Sequence, residues 1–154
     1  MKTVSIILLT LGLVCKPARS QDAAPSQGKY ALAGLNNDRE VEQFFMSFKE
    51  AVAKGDKQAV AAMVRYPIKV ALARGRQVTL RSKVMFLRNY DAIFNEPFKQ
   101  IIAQTKVEDL WAKWSGVATP RGEVWMSGII KNPKKPEIYE LKIITLNGPV
   151  ERKK

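Results

Sequence analysis

Histidine is absent from the 154-residue sequence, and cysteine occurs once, as Cys15. The lack of histidine removes the commonest general base and the commonest metal ligand. Because Cys15 lies in an apolar leader, a domain released from that leader has no thiol for a disulfide, a nucleophile or a metal site. We therefore expect no catalytic residue, no cofactor and no metal. A hydrophobic core must hold the fold unaided.

A cleavable signal peptide is predicted over residues 1–20. A lysine precedes the apolar stretch of residues 4–15, and Ala18 and Ser20 are the small residues that a signal peptidase reads. The apolar stretch is about twelve residues long, whereas a helix that crosses a bilayer needs roughly 20. We expect export, to the periplasm of a Gram-negative cell or otherwise by secretion, and no transmembrane span after cleavage. An uncleaved anchor and lipidation of the lone cysteine are the alternatives.

Positive charge exceeds negative charge along the whole chain. The sequence has 26 lysines and arginines against 14 acids; loss of Lys2, Lys16 and Arg19 with the leader leaves 23 against 14, a net charge of +9. Such a charge favours anionic partners, such as lipid head groups, anionic envelope polymers or nucleic acid. A solvated surface without a partner is the simpler interpretation.

The sequence predicts one domain. Residues 21–36 are rich in Ala, Ser, Gln, Gly and Pro without an apolar period, which indicates a flexible linker. Residues 37–148 have the apolar patterning of a single core, and residues 149–154 form a charged tail.

Helices are predicted in the first part of this domain. Asn37, followed three residues later by Glu40, is typical of a helix N-cap, and Gly55 is placed to end that helix. Asp56 can cap a second helix, which should end at Tyr66 because the residue before a proline disfavours helical angles. Further helices are predicted from Ser82 to 94 and over 97–102.

Strands are predicted around and after those helices. Alternating apolar residues indicate two short strands about a turn at residues 74–76, and three longer strands over about 109–117, 123–131 and 137–146. Helices first and a strand meander last indicate an α+β fold, with the helices packed on one face of an antiparallel sheet.

The chain over about residues 37–147 resembles the NTF2-like (cystatin-like fold) superfamily. The resemblance rests on the element order, on Phe44-Phe45 and Tyr66-Pro67, and on the segment from Gly122 to Trp125. The amino-acid sequence is similar to those of small exported bacterial proteins of that fold. The resemblance implies a curved antiparallel sheet that wraps against the helices as a cone. That cone serves isomerases, dehydratases and many non-catalytic binders. Its enzymes typically place an Asp, His or Tyr inside it, but no acid here maps onto such a position, so no functional residue is carried over.

Tryptophan and tyrosine side chains are the main ligand-binding candidates. Trp111 and Trp125 have the same strand parity in a plausible hairpin register, whereas Trp114 has the opposite parity and should point to the other face. At least one tryptophan should then lie outside the core, where it can stack on a sugar, a base or a second subunit. An irregular strand that hides all three is the alternative. The candidate residues are Tyr66, Tyr90, Trp111, Trp114, Trp125 and Tyr139.

A basic stretch beside the predicted hairpin is a candidate anion site. Near Ser82 at a helix start, the basic side chains could hold a phosphate or sulfate; the members are Arg74, Arg76, Arg81 and Lys83. A solvated turn is the alternative. Nucleic acid is not the expected partner, because no aromatic residues interleave with these arginines.

We favour an exported, non-catalytic binding module that holds an apolar ligand or a protein partner in the cone or on the open sheet face. The alternative is a basic envelope protein that binds anionic polymer or lipid head groups. An enzyme is less favoured, because it would need a buried carboxylate near Tyr66, Tyr90 or Tyr139. A homodimer is compatible with each of these.

Overall fold

The computed structural model describes residues 28–72 and 76–149. The predicted signal peptide, the first residues of the predicted linker, Arg74 and residues 150–154 lie outside these ranges. The helices are α1 (Asp38–Lys54), α2 (Lys57–Ala62), α3 (Lys83–Arg88), α4 (Tyr90–Ile93) and α5 (Glu96–Gln104). The strands are β1 (Val64–Ala71), β2 (Gln77–Leu80), β3 (Trp111–Lys113), β4 (Gly116–Ala118), β5 (Val124–Ile130) and β6 (Tyr139–Asn147).

The strands form one sheet in the order β2-β1-β6-β5-β4-β3, which confirms the α+β class. The sheet is mixed rather than antiparallel as expected, because β1 and β6 run parallel while every other described pair is antiparallel. The reason is topological: β6 returns antiparallel to its hairpin partner β5 and meets β1 running in the same direction. Within the described ranges, none of the helices combines the length and apolar character needed to cross a bilayer.

Local side chains determine both ends of α1, as the sequence predicts. The Asn37 side chain accepts a hydrogen bond from the backbone N–H of Glu40 at 3.2 Å. Gly55 ends the helix with a φ of 66°, which glycine adopts without a steric penalty. Between these ends the helix buries one apolar face, which includes Phe45 and Phe48.

Aromatic rings fill the space between the helices and the sheet. Phe94 is at the centre: its ring centroid lies 5.6 Å from that of Phe98, 6.2 Å from those of Phe48 and Phe86, and 4.7 Å from that of Tyr90. All five side chains are almost completely buried. Burial of each phenylalanine contributes about 1.5–3 kcal/mol to stability.

Residues 28–36 belong to the fold, so the expected linker is wrong over that part of the chain. The segment contains a short 3-10 helix, Ala31–Ala33, and buries Tyr30 and Leu35 in the core. The backbone N–H groups of Lys29 and Tyr30 donate to the Asp38 carboxylate at 2.8 and 3.2 Å. The burial of Tyr30 and Leu35 and the two hydrogen bonds to Asp38 together hold this segment against the domain.

Two predicted helices differ from the observed ones. Helix α2 ends at Ala62 rather than Tyr66, because Val64 pairs with Ile143 of β6 and the N–H of Ile143 donates to the carbonyl of Met63 at 2.8 Å. The helix predicted from Ser82 is interrupted at Asn89, which separates α3 from α4.

The strand predicted over 109–117 is two short strands. A tight turn at Trp114 and Ser115 folds β4 back on β3, with Lys113 paired to Gly116. Gly116 has a φ of 136°, and a β-carbon there would collide with the carbonyl oxygen of Met126. Glycine at this position therefore allows the turn to form so close to β5.

Candidate functional site on the open sheet face

One transverse row of side chains crosses all six strands on the sheet face opposite the helices, here called the open face. The backbone register places these residues side by side: Thr79, Lys69, Thr145, Trp125, Ala118 and Trp111. Successive residues of a strand point to opposite faces, so the adjacent row, with Val70, Leu146 and Val124, points into the core and is buried. Side chains of the open face mostly keep part of their surface exposed.

Trp111 and Trp125 converge on this face, as their strand parity predicts. They are not on neighbouring strands: each pairs with Ala118 of β4, from opposite sides. The small Ala118 side chain leaves room for the two rings to meet above it, with centroids 5.3 Å apart and planes at 83°. This edge-to-face geometry is favourable for aromatic pairs. Trp111 keeps 37% of its surface exposed.

The β4–β5 turn holds both indoles in place. Trp111 Nε1 donates to the carbonyl of Thr119 at 2.9 Å, and Trp125 Nε1 donates to the carbonyl of Gly122 at 3.1 Å. The Asn147 side chain also donates to Gly122, at 2.8 Å. The indole N–H groups are thus satisfied within the protein, and the exposed part of the Trp111 ring is left for contact with a ligand.

Glu123, one of the few buried polar residues described, stabilises this turn. Its carboxylate accepts from the Thr119 hydroxyl at 2.7 Å and from the backbone N–H of Arg121 at 3.2 Å, and its own N–H donates to Thr119 at 3.0 Å. These hydrogen bonds explain why a carboxylate is buried here. Glu123 therefore stabilises the β4–β5 turn, whose carbonyl groups accept the hydrogen bonds of the Trp111 and Trp125 indoles.

Lys113 completes the cluster and was not among the residues predicted for a site. Its ammonium lies 4.5 Å from the ring centroid of Trp125 and 5.8 Å from that of Trp111, within the range of cation–π attraction. Among the described residues, no carboxylate forms an ion pair with Lys113. The available signal was its spacing of two residues from Trp111, which places both on one face of a strand.

Trp114 is separate from this pair. It lies in the β3–β4 turn rather than on a strand, and 84% of its surface is exposed. The expectation that it occupies the opposite face of a long strand is therefore wrong, because the strand ends at Lys113.

Tyr66 and Tyr90 belong to the core side of the molecule. Both contact Phe86, with ring centroids 6.0 and 6.3 Å from it. Burial raises the pKa of Tyr66 to about 12, and its hydroxyl donates to the carbonyl of Ala61 at 2.9 Å. The buried Tyr90 hydroxyl finds no hydrogen-bond partner among the described residues. The six predicted aromatic residues therefore do not form one site. Trp111 and Trp125 lie on the open face, whereas Tyr66 and Tyr90 lie on the core side.

Tyr139 lines a surface groove of about 610 Å³ between α1 and β6. Its hydroxyl lies 3.4 Å from a carboxylate oxygen of the half-buried Glu40, and burial followed by the Glu40 charge raises the pKa of Tyr139. In the same groove, hydrogen bonds from Lys131 and Lys142 lower the pKa of Glu140 to about 2. Tyr139 and Glu140 therefore keep one protonation state near neutral pH, which does not suit a general acid or base.

The predicted anion site is spread out along β2. Arg76 precedes this strand and Arg81 follows it, so an extended backbone separates them by roughly 17 Å. The Ser82 hydroxyl is already used, because it accepts from the N–H of Met85 at 3.3 Å to cap α3. Arg81 and Lys83 are exposed at this end. The backbone positions of Arg76 and Arg81 are therefore far apart, whereas Arg81 and Lys83 lie two residues apart at the start of α3.

A scan against protein-family models and searches of curated proteins and of solved structures find no match to this chain.

Proposed function

We propose that this protein is a non-catalytic binding module and that the open face is its binding surface. The observation that carries the proposal is the Trp111–Trp125 pair, with Lys113 above it, on the sheet face opposite the helices. The indoles are fixed by the β4–β5 turn, so binding costs little side-chain ordering.

The open face is a better binding surface than an internal cone. Between the helices and the sheet, the space is occupied by closely packed rings, including Phe86, Phe94 and Phe98. The NTF2-like relationship remains part of the proposal. The element order supports it, as do the register shifts in β1–β6 and β5–β6, because bulges of this kind bend and twist a sheet.

Export is also part of the proposal, and the sequence of residues 1–20 supports it. The intact mass of the protein recovered from the periplasm or the medium tests this point. The expected mass is that of residues 21–154, and the released protein should not react with a thiol reagent. A full-length mass outside the cytoplasmic membrane would contradict cleavage.

Nuclear magnetic resonance of the three indole N–H groups tests the binding surface. The probes are neutral and acidic oligosaccharides, an apolar peptide, a single-stranded oligonucleotide and vesicles of anionic phospholipid. We expect at least one probe to shift the signals of Trp111 and Trp125 more than that of Trp114, which serves as an exposed internal control. Binding confined to the Tyr139 groove, or no shift with any probe, would contradict the proposal.

A further inference from the structure

We propose that the ligand of the open face is an acidic polysaccharide that lies across the strands. This inference rests on the proposed binding function of the open face and specifies its ligand class. A sugar ring stacks on the exposed part of Trp111, and carboxylates of the same chain pair with Lys113 and Lys69. No bond is formed or broken.

The transverse row is long enough for a linear chain to bind along it. Neighbouring strands lie about 4.8 Å apart, so the six positions from Trp111 to Thr79 extend over roughly 24 Å. Lys69 is two strands from Trp125, or roughly 10 Å away. The hydroxyls of Thr145 and Thr79 lie on either side of Lys69 in the same row, where they can bond to sugar hydroxyls. An extended chain can therefore contact the indoles and both lysines together.

The charge of the open face is complementary to an anionic chain. Lys69 is exposed, and, like Lys113, it forms no ion pair with a described residue. The Glu140 carboxylate lies farther along β6, in the Tyr139 groove, and is engaged by Lys131 and Lys142, both at 2.6 Å. Two ammonium groups thus remain available for a ligand on a molecule that is itself strongly basic.

The arrangement of the indoles favours a sugar over a nucleic acid. Single-stranded nucleic acids stack successive bases on successive aromatic rings. Here Trp111 and Trp125 pack edge to face against each other, so they do not present two parallel stacking surfaces. A protein partner would bury a large surface with an apolar centre. Beyond the indoles, the row is formed by hydroxyls, a lysine and one alanine.

Calorimetry with oligogalacturonate and its fully methyl-esterified form tests the inference, because the two share a sugar backbone and differ in charge. We expect the acid form to bind, its affinity to fall steeply with added salt, and the ester to bind at least about tenfold more weakly, as loss of charge-assisted contacts implies. Equal binding of the ester would overturn the inference but leave the open-face function intact.

Three lysine variants locate the binding site. Lys113→Gln and Lys69→Gln should each weaken oligogalacturonate binding by roughly tenfold, since each removes one charge-assisted contact. Lys134→Gln, in the exposed loop before β6, removes the same charge elsewhere and should leave the affinity unchanged. An equal loss in all three variants would indicate non-specific attraction and overturn the inference.

A Trp111→Ala variant tests the stacking contact independently of charge. Oligogalacturonate binding should be lost in Trp111→Ala but largely kept in Trp111→Phe, which also removes the hydrogen bond to Thr119 but keeps an aromatic ring. Tighter binding of a single-stranded oligonucleotide or of phosphatidylglycerol vesicles than of oligogalacturonate would also overturn the inference. If no sugar binds but another probe shifts the two indole signals, the sugar inference fails alone. If no probe shifts them, the proposed function fails as well.

Discussion

At the residue scale, Gly116 determines whether β4 can lie next to β5. Its φ of 136° is strained for any residue with a β-carbon, and its neighbour across the pair is the backbone carbonyl of Met126, which cannot rotate away. Gly34 has a φ of 72° but open space around it. The two glycines therefore separate the cost of backbone strain from the cost of a collision.

We expect Gly116→Ala to lower the free energy of unfolding by about 2–3 kcal/mol or more, since strain and collision add. Gly34→Ala should cost only about 1 kcal/mol, from strain alone. Urea denaturation of both variants and the wild type measures the difference. Equal losses would show that the β3–β4 turn relaxes around the new methyl group.

The site residues show what strand parity can and cannot predict. The shared face of Trp111 and Trp125 follows from alternation once both are placed on strands. The separate position of Trp114 does not, because it depends on the turn at Gly116, which strand alternation does not specify, although the Ser-Gly pair there is a turn signal. The position of Lys113 above Trp125 depends on register across β4, which spacing within one strand does not specify.

At the element scale, a helix boundary is predicted correctly when it depends on nearby residues and wrongly when it depends on residues far away in the chain. Both ends of α1 depend on residues within a few positions of it, Asn37 and Gly55, and both were predicted. The end of α2 depends on pairing between Val64 and Ile143, which are far apart in the chain, and it was wrong. The segment 28–36 also depends on distant parts of the chain, because the core buries its Tyr30 and Leu35 side chains.

Two leucines in that segment test whether it stabilises the fold. Leu35 is 1% exposed and Leu32 is 68% exposed, so the same substitution removes buried surface in one case only. We expect Leu35→Ala to cost about 2–5 kcal/mol and Leu32→Ala less than about 0.5 kcal/mol, measured by chemical denaturation. A neutral Leu35→Ala would mean that the segment is dispensable to the core.

At the scale of the whole molecule, acid adds positive charge to a protein that is already basic. Glu140 opposes this effect, because its bonds to Lys131 and Lys142 hold its pKa near 2, below the ordinary value of 4.5. A lowered folded-state pKa contributes stability that is present above pH 4.5 and is lost as the pH falls toward 2.

Glu140→Gln should therefore lower the Tm at pH 7 and reduce the fall in Tm between pH 5 and pH 2. Glu137→Gln is the control, because Glu137 is exposed in the same hairpin and forms no ion pair with a described residue. Thermal unfolding monitored by circular dichroism across this pH range provides the measurement. Parallel pH profiles for the two variants would show that the lysine contacts of Glu140 add nothing.

The position of β6 makes the continuity of the whole sheet depend on this one strand. This strand comes last in the sequence but lies in the middle of the sheet, where it joins β1 and β2 on one side to β3, β4 and β5 on the other. Strand pairing without residues 139–147 would leave β1 and β2 in one group and β3, β4 and β5 in another. The pairing of β6 with both groups therefore makes one continuous surface of the indole cluster and Lys69.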